Sequence, residues 1–211
     1  MNYCIFFING SGFERTIPYN FLFINEIKKE IKKQIIKKKT NIILKNATHS
    51  NLNELLNEFK LLQIECFKLY GKLNVKFIII GICSGGYVAC RIKKLLNIHY
   101  CICIAPILNP IFRKNYLINN KKQLINYISM NSIDKHIYNT PLLKKIYNTF
   151  DKTYFFIISK NDLQAPFEMY KDYNLENVYI FEKEPHKDLT TKPTKCILDL
   201  LSKIIKDIIN L

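Results

Sequence analysis

Short apolar segments alternate with longer amphipathic segments along most of this chain. Each apolar segment has the length of a strand and ends at polar or glycine-containing residues. Strands that are apolar on both faces and alternate with helices indicate a mainly parallel sheet covered by helices on both sides. We therefore expect an α/β fold with about six strands. The predicted strands cover residues 3–8, 41–44, 75–80, 100–104, 153–158 and 178–181.

One segment interrupts this alternation. About 45 residues, from Ile107 to Phe150, separate the fourth and fifth predicted strands and contain only weak helical patterns. Long insertions after the carboxyl end of a strand commonly cover binding sites. With 211 residues in total, the chain has the length of one α/β domain. We expect a single domain over 1–211 with a small lid insertion at about 107–150.

The cysteines argue for a reducing compartment. All seven are scattered along the chain, several inside apolar segments, and they lack the density of a disulfide scaffold. We therefore expect free thiols and a cytoplasmic protein. Their spacing relative to the histidines matches no zinc motif, so the sequence predicts no metal site and no cofactor.

The net charge of +15 raises the question of a polyanionic partner. Nucleic-acid readers rely on arginine for its rigid, bidentate fork, but this chain contains only Arg15, Arg91 and Arg113. We expect no nucleic-acid partner. The basic amphipathic segment Lys28–Lys39 is interpreted as a helix that packs its Ile residues on the sheet. Peripheral contact with an anionic membrane is the alternative.

A sharp turn follows the third predicted strand, at Gly81-Ile82-Cys83-Ser84-Gly85. A nucleophile elbow needs small residues two before and two after the nucleophile, because larger side chains collide with the adjacent strand or helix. This register selects Cys83, since centring on Ser84 would place Ile82 at the first small position. The start of the following helix favours a thiolate at Cys83 through unpaired N–H groups and the helix dipole.

Candidate partners of Cys83 lie near the ends of other predicted strands. The N–H of Ser84 is predicted to face the oxyanion, together with a second N–H from Ser11 or Gly12 in the loop after the first strand. Asp162 follows the fifth strand and His186 follows the sixth. This order of acid and then histidine is the one that a nucleophile elbow requires.

Nearly the whole chain resembles the α/β-hydrolase superfamily in its order of elements. The sequence Gly-Ile-Cys-Ser-Gly-Gly at 81–86 is similar to the Gly-x-Cys-x-Gly-Gly elbow of dienelactone hydrolases, and the Asp162 segment is similar to their acid loop. The resemblance implies that Cys83 is the nucleophile, His186 the general base and Asp162 its orienting partner, with an acyl-enzyme resolved by water. Asn9 stands where many members have a histidine.

These features predict a hydrolase that acts on an ester, thioester or lactone bond of a small-molecule acyl substrate. Two alternatives stay open at this point. One is an acyltransferase with the same triad, and the other is a noncatalytic basic surface or interaction protein that retains the fold.

Overall fold

A computed structural model describes residues 1–10, 25–33, 41–47, 52–96, 98–120 and 149–210. In this part of the chain, six strands form one sheet with the order β2-β1-β3-β4-β5-β6. Every neighbouring pair is parallel. The predicted α/β class and parallel sheet are therefore confirmed. The strands are β1 (Asn2–Ile8), β2 (Ile42–Asn46), β3 (Val75–Ile82), β4 (Tyr100–Ile104), β5 (Thr149–Ser159) and β6 (Asn174–Phe181).

Helices follow most of these strands. Residues 25–33 are helical and are called α1. Short 3-10 turns at Lys72–Asn74 and Phe167–Tyr170 precede β3 and β6. None of the helices in the described ranges is long and apolar enough to cross a membrane. The other helices are α2 (Leu52–Tyr70), α3 (Ser84–Leu96), α4 (Pro110–Asn120), α5 (His186–Thr190) and α6 (Lys195–Asn210).

The core lies on both faces of the central strands. Consecutive residues of a strand point to opposite faces, and in β1 all residues from Tyr3 to Ile8 are buried. On one side, Phe59 of α2 packs edge-to-face against Phe6 of β1 and Phe77 of β3. Buried aromatic side chains of this size are a main source of core stability. They hold α2 against the strands that lead to the site.

Several strands are longer than their sequence patterns predict. β3 continues to Ile82 because Gly81 and Ile82 pair with Cys103 and Ile104 of β4. β5 begins at Thr149 rather than at residue 153, with an irregularity in its pairing between Phe150 and Phe155. Pairing with a neighbouring strand extends these elements through residues whose own pattern is ambiguous.

The described parts of the predicted basic helix and lid are well packed. In α1, Ile27 and Ile31 belong to the core, whereas Lys29 is exposed and pairs with Glu26. Residues 34–39 lie outside the described residues. In the predicted lid, Ile107 and Leu108 are fully buried and α4 follows, but residues 121–148 lie outside the described residues.

Candidate active site

Cys83 occupies a strained turn between β3 and α3. Its φ is +54°, a left-handed conformation that costs a residue other than glycine about 1–3 kcal/mol. Backbone hydrogen bonds hold it there. Its N–H donates to the Ile104 carbonyl at 2.9 Å, and its carbonyl accepts from the N–H groups of Gly86 and Ile107 at 2.9 and 3.2 Å. The turn presents the Cys83 side chain at the carboxyl end of the sheet, where ligands bind in open α/β folds.

Both small residues of the elbow are required by close packing. A Cβ added at Gly81 would lie 2.6 Å from the Cβ of Ala89 in α3. A Cβ added at Gly85 would collide with the carbonyl oxygens of Ile8 and Asn9 at the end of β1. The steric reason for centring the elbow on Cys83 is therefore present in the structure.

Gly85→Ala is expected to lower the free energy of unfolding by about 1–3 kcal/mol, the usual cost of overpacking. The added methyl group meets backbone oxygens, which move less readily than a side chain. Chemical denaturation measures the change. Ser84→Ala is the matched control, because it removes a buried hydroxyl that has no hydrogen-bond partner among the described residues and should cost little. Equal stability of Gly85→Ala and the parent protein would contradict this packing argument.

The loop after β1 reaches the elbow. A Cβ on Gly10 would lie 2.7 Å from the Cβ of Cys83 and 3.0 Å from the Ile82 carbonyl oxygen. Glycine is needed at this close approach of the two segments. Asn9, which directly precedes Gly10, is buried. Ser11, the predicted second oxyanion donor, lies outside the described residues and stays a prediction.

Ser84 differs from Cys83 in the hydrogen bonding of its side chain. Its side chain is completely buried, and its hydroxyl has no hydrogen-bond partner within the described ranges. As the first residue of α3, Ser84 has a backbone N–H without an intrahelical acceptor. The residue can therefore offer its N–H to an oxyanion, but no base in the described part of the chain contacts its hydroxyl.

Asp162 and His186 are in direct contact, although 24 residues separate them. The Nδ1 atom of His186 lies 2.7 Å from Oδ2 of Asp162. His186 is the first residue of α5, just after β6, and Asp162 follows β5. Because β5 and β6 are parallel neighbours, their carboxyl ends bring the two side chains to the same edge of the sheet.

The loop around Asp162 holds its carboxylate in place. Oδ1 accepts hydrogen bonds from the N–H groups of Gln164 and Ala165, both at 2.8 Å, which leaves Oδ2 for His186. The buried Arg113 of α4 donates from Nε to the Gln164 carbonyl at 2.7 Å. This arrangement orients the imidazole so that Nδ1 faces Asp162 and Nε2 remains for another partner.

Cys83 is that other partner. Burial lowers the pKa of His186, but the charges of Cys83 and Asp162 and hydrogen bonds to both raise it to about 10. These interactions therefore favour the protonated form of the imidazole beside the cysteine sulfur. A thiolate paired with an imidazolium is a standard form of an activated cysteine nucleophile.

Two tyrosines that the sequence analysis did not single out support the elbow. The hydroxyl of Tyr170 donates to the Pro106 carbonyl at 2.7 Å, and that of Tyr173 donates to the Leu108 carbonyl at 3.0 Å. These bonds anchor the segment whose Ile107 N–H binds the Cys83 carbonyl. Burial, followed by the charges of Asp162 and Cys83, raises the pKa of Tyr170, so its phenol stays a donor. No local pattern distinguishes them among the chain's 13 tyrosines.

Tyr170→Phe is expected to lower the free energy of unfolding by about 1–3 kcal/mol, because it leaves the buried Pro106 carbonyl without its donor. Urea denaturation measures this loss. Tyr179→Phe, in the half-buried part of β6, is the matched control and should change stability by less than about 1 kcal/mol. Equal effects of the two substitutions would show that the Tyr170 hydroxyl has no special structural role.

Three features of this chain occur together in one fold class. They are the parallel sheet, the strained turn between β3 and α3, and the contact between an acid and a histidine after β5 and β6. The chain has the α/β-hydrolase fold, as its motifs predict. No protein-family model matches the chain, and no curated protein matches it either.

Solved structures match the fold over nearly the whole chain. Est1E of Butyrivibrio proteoclasticus is 12% identical with a TM-score of 0.63, and the match covers 100% of this chain and 89% of that one. An esterase of Pyrococcus furiosus is 14% identical with a TM-score of 0.59 over 99% of this chain and 81% of its own. A peroxisomal α/β-hydrolase of Saccharomyces cerevisiae is 11% identical with a TM-score of 0.57, over 99% and 78%. At these identities the likeness shows the fold alone.

Proposed function

We propose that this protein is an acyl hydrolase that cleaves an ester, thioester or lactone bond with Cys83 as nucleophile, His186 as acid and base, and Asp162 as the orienting carboxylate. The observation that carries the proposal is the buried 2.7 Å contact between His186 and Asp162. Cys83 lies beside this pair, and its charge and hydrogen bond raise the pKa of the His186 imidazole.

In the first half of the reaction, the Cys83 thiolate attacks the carbonyl carbon and forms a carbon–sulfur bond. The carbonyl oxygen becomes an oxyanion, which the N–H of Ser84 stabilises together with a donor from the loop after β1, where Ser11 is the candidate. The imidazolium of His186 then gives its proton to the leaving oxygen or sulfur as the bond to the acyl carbon breaks. The product of this half is an acyl-Cys83 thioester.

In the second half, the now neutral His186 removes a proton from water as the water oxygen attacks the acyl carbon. The tetrahedral intermediate collapses, the carbon–sulfur bond breaks, and the carboxylic acid leaves. Cys83 returns to the thiolate and His186 to the imidazolium, so the ion pair is restored. Asp162 keeps the same contact through both halves and stabilises the charged ring.

The geometry also favours Cys83 over Ser84 as the attacking residue. Cys83 interacts with His186, whereas the Ser84 hydroxyl is buried without a hydrogen-bond partner in the described part of the chain. A serine nucleophile needs an adjacent base, because its hydroxyl is not ionised near neutral pH.

The test is a substrate screen with the purified full chain. Nitrophenyl esters and acyl thioesters from acetyl to octanoyl are supplied, product release is followed by absorbance, and the reaction is quenched early for intact-mass measurement. We expect turnover and an acyl adduct that maps to Cys83. Adding alcohol and amine acceptors distinguishes hydrolysis from acyl transfer. Absence of both turnover and adduct in the folded protein across the panel would contradict the proposal.

A further inference from the structure

Three cysteine sulfurs other than that of Cys83 converge in the core between α3 and β4. The Sγ atom of Cys103 lies 3.5 Å from that of Cys90 and 3.5 Å from that of Cys101. All three sulfurs lie within 4.8 Å of one another. Cys101 and Cys103 point to the same face of β4 because they are two residues apart on a strand, and α3 packs on that strand and supplies Cys90.

We propose that Cys90, Cys101 and Cys103 bind one zinc ion as thiolates. Zinc binds thiolate sulfur at about 2.3 Å in a tetrahedral arrangement, which places two sulfur ligands roughly 3.8 Å apart. The observed 3.5 Å separations need only shifts of a few tenths of an ångström. Thiolate is also the ligand that distinguishes soft and borderline metal ions from magnesium and calcium.

A backbone oxygen lies beside one of the three sulfurs. The carbonyl oxygen of Gly86, in the first turn of α3, is 3.7 Å from Sγ of Cys103. In a tetrahedral zinc site, an oxygen and a sulfur ligand lie about 3.5 Å apart. Its distance from Cys103 is therefore close to that expected between an oxygen ligand and a sulfur ligand of one zinc ion.

A basic side chain of α3 lies beside the cluster. Three thiolates and one Zn²⁺ carry a net charge of −1, which a buried site must balance. Lys93 of α3 is buried, and it interacts electrostatically with Cys90 and Cys101. Its ammonium donates to the Ile98 carbonyl at 2.9 Å and lies 4.6 Å from the centre of the Tyr154 ring.

Binding involves no electron transfer. Three S–H bonds break, three Zn–S bonds form, and three protons pass to solvent. Because all three cysteines are completely buried, the ion has to enter while the chain folds. Without metal, the same three thiols would pack only as small apolar side chains, and this is the alternative that the experiment separates.

The experiment is refolding of the full chain from denaturant under reducing conditions, with one equivalent of Zn²⁺ or of Co²⁺ as a spectroscopic probe. After desalting, we expect one zinc per chain by elemental analysis and an intense near-ultraviolet thiolate-to-cobalt band. Folded wild-type protein with less than about a tenth of an equivalent of metal and no such band would overturn the proposal, and the thiols would then be core side chains only.

Variants locate the site and separate it from the proposed chemistry. Cys101→Ser and Cys103→Ala should lose the metal and the cobalt band, whereas Cys66→Ala, which changes a buried cysteine of α2, should keep both. Cys83→Ala should also keep one zinc per chain. Zinc that disappears with Cys83→Ala would overturn the assignment to this cluster. A protein that fails to hydrolyse any substrate should still bind one zinc ion, so failure of the proposed function would not affect this assignment.

Discussion

Cys83→Ala is expected to lower kcat by about 10⁴-fold or more, the scale at which loss of a nucleophile acts in a coupled triad. The substitution keeps a Cβ and the backbone of the elbow, so the fold and the N–H donors remain. Initial rates on the best ester or thioester from the screen measure the loss. Circular dichroism checks that the variant is folded.

Three further variants make this result specific to Cys83. Cys196→Ala removes the exposed cysteine of α6 and should leave turnover unchanged. Cys83→Ser should be slow, because a serine does not form the thiolate–imidazolium pair. Ser84→Ala keeps its backbone N–H and should retain most activity. Covalent labelling that survives in Cys83→Ala and disappears in Ser84→Ala would assign the nucleophile to Ser84 instead.

His186→Gln is expected to change how alkylation of Cys83 by iodoacetamide depends on pH. In the wild type, the proposed thiolate–imidazolium pair should keep alkylation fast well below the ordinary thiol pKa of about 8.5. In the variant, the rate should rise only as an ordinary thiol ionises. Mass spectrometry of the Cys83 peptide measures the rate at each pH. Identical pH profiles would show that His186 does not act on Cys83.

The same histidine should make stability depend on pH in a defined direction. Its pKa is raised from 6.5 to about 10, so the stability it contributes is complete below about pH 6.5 and is lost as the pH rises through about 10. From about pH 8.5 to 10, wild type should lose more unfolding free energy than His186→Gln. Urea denaturation at both ends of that interval measures the difference, and parallel losses would contradict the assignment. Activity should also decline as the imidazolium deprotonates near pH 10.

Much of the candidate site could be inferred from local sequence. Gly81 and Gly85 revealed the elbow because a strand–turn–helix junction leaves no room for a Cβ at these places, and the structure shows the atoms that such a Cβ would meet. Asp162 and His186 stood out because parallel strands place their carboxyl ends at one edge of a sheet. This inference needs only the order of the strands along the chain, which the short apolar segments reveal.

Other features have no local signal. Tyr170 and Tyr173 reach carbonyl groups that are 64 and 65 residues away in sequence. Cys90 belongs to a helix with 3.6 residues per turn, whereas Cys101 and Cys103 belong to a strand with a period of two. Their spacing matches no zinc motif, although folding brings their sulfurs together. Spacing alone therefore predicts no metal site, and the proposed zinc site is argued from the tertiary structure.

The sequence by itself determined the α/β class and predicted the register of the elbow on Cys83 and the order of Asp162 and His186, because each depends on side-chain pattern within a few residues. Only the tertiary structure decided which Asp162 oxygen meets His186, which tyrosines secure the elbow, and which cysteines share the core between α3 and β4. The physical reason is that these contacts join segments that are distant along the chain, and their geometry exists only after the strands have paired and the helices have packed.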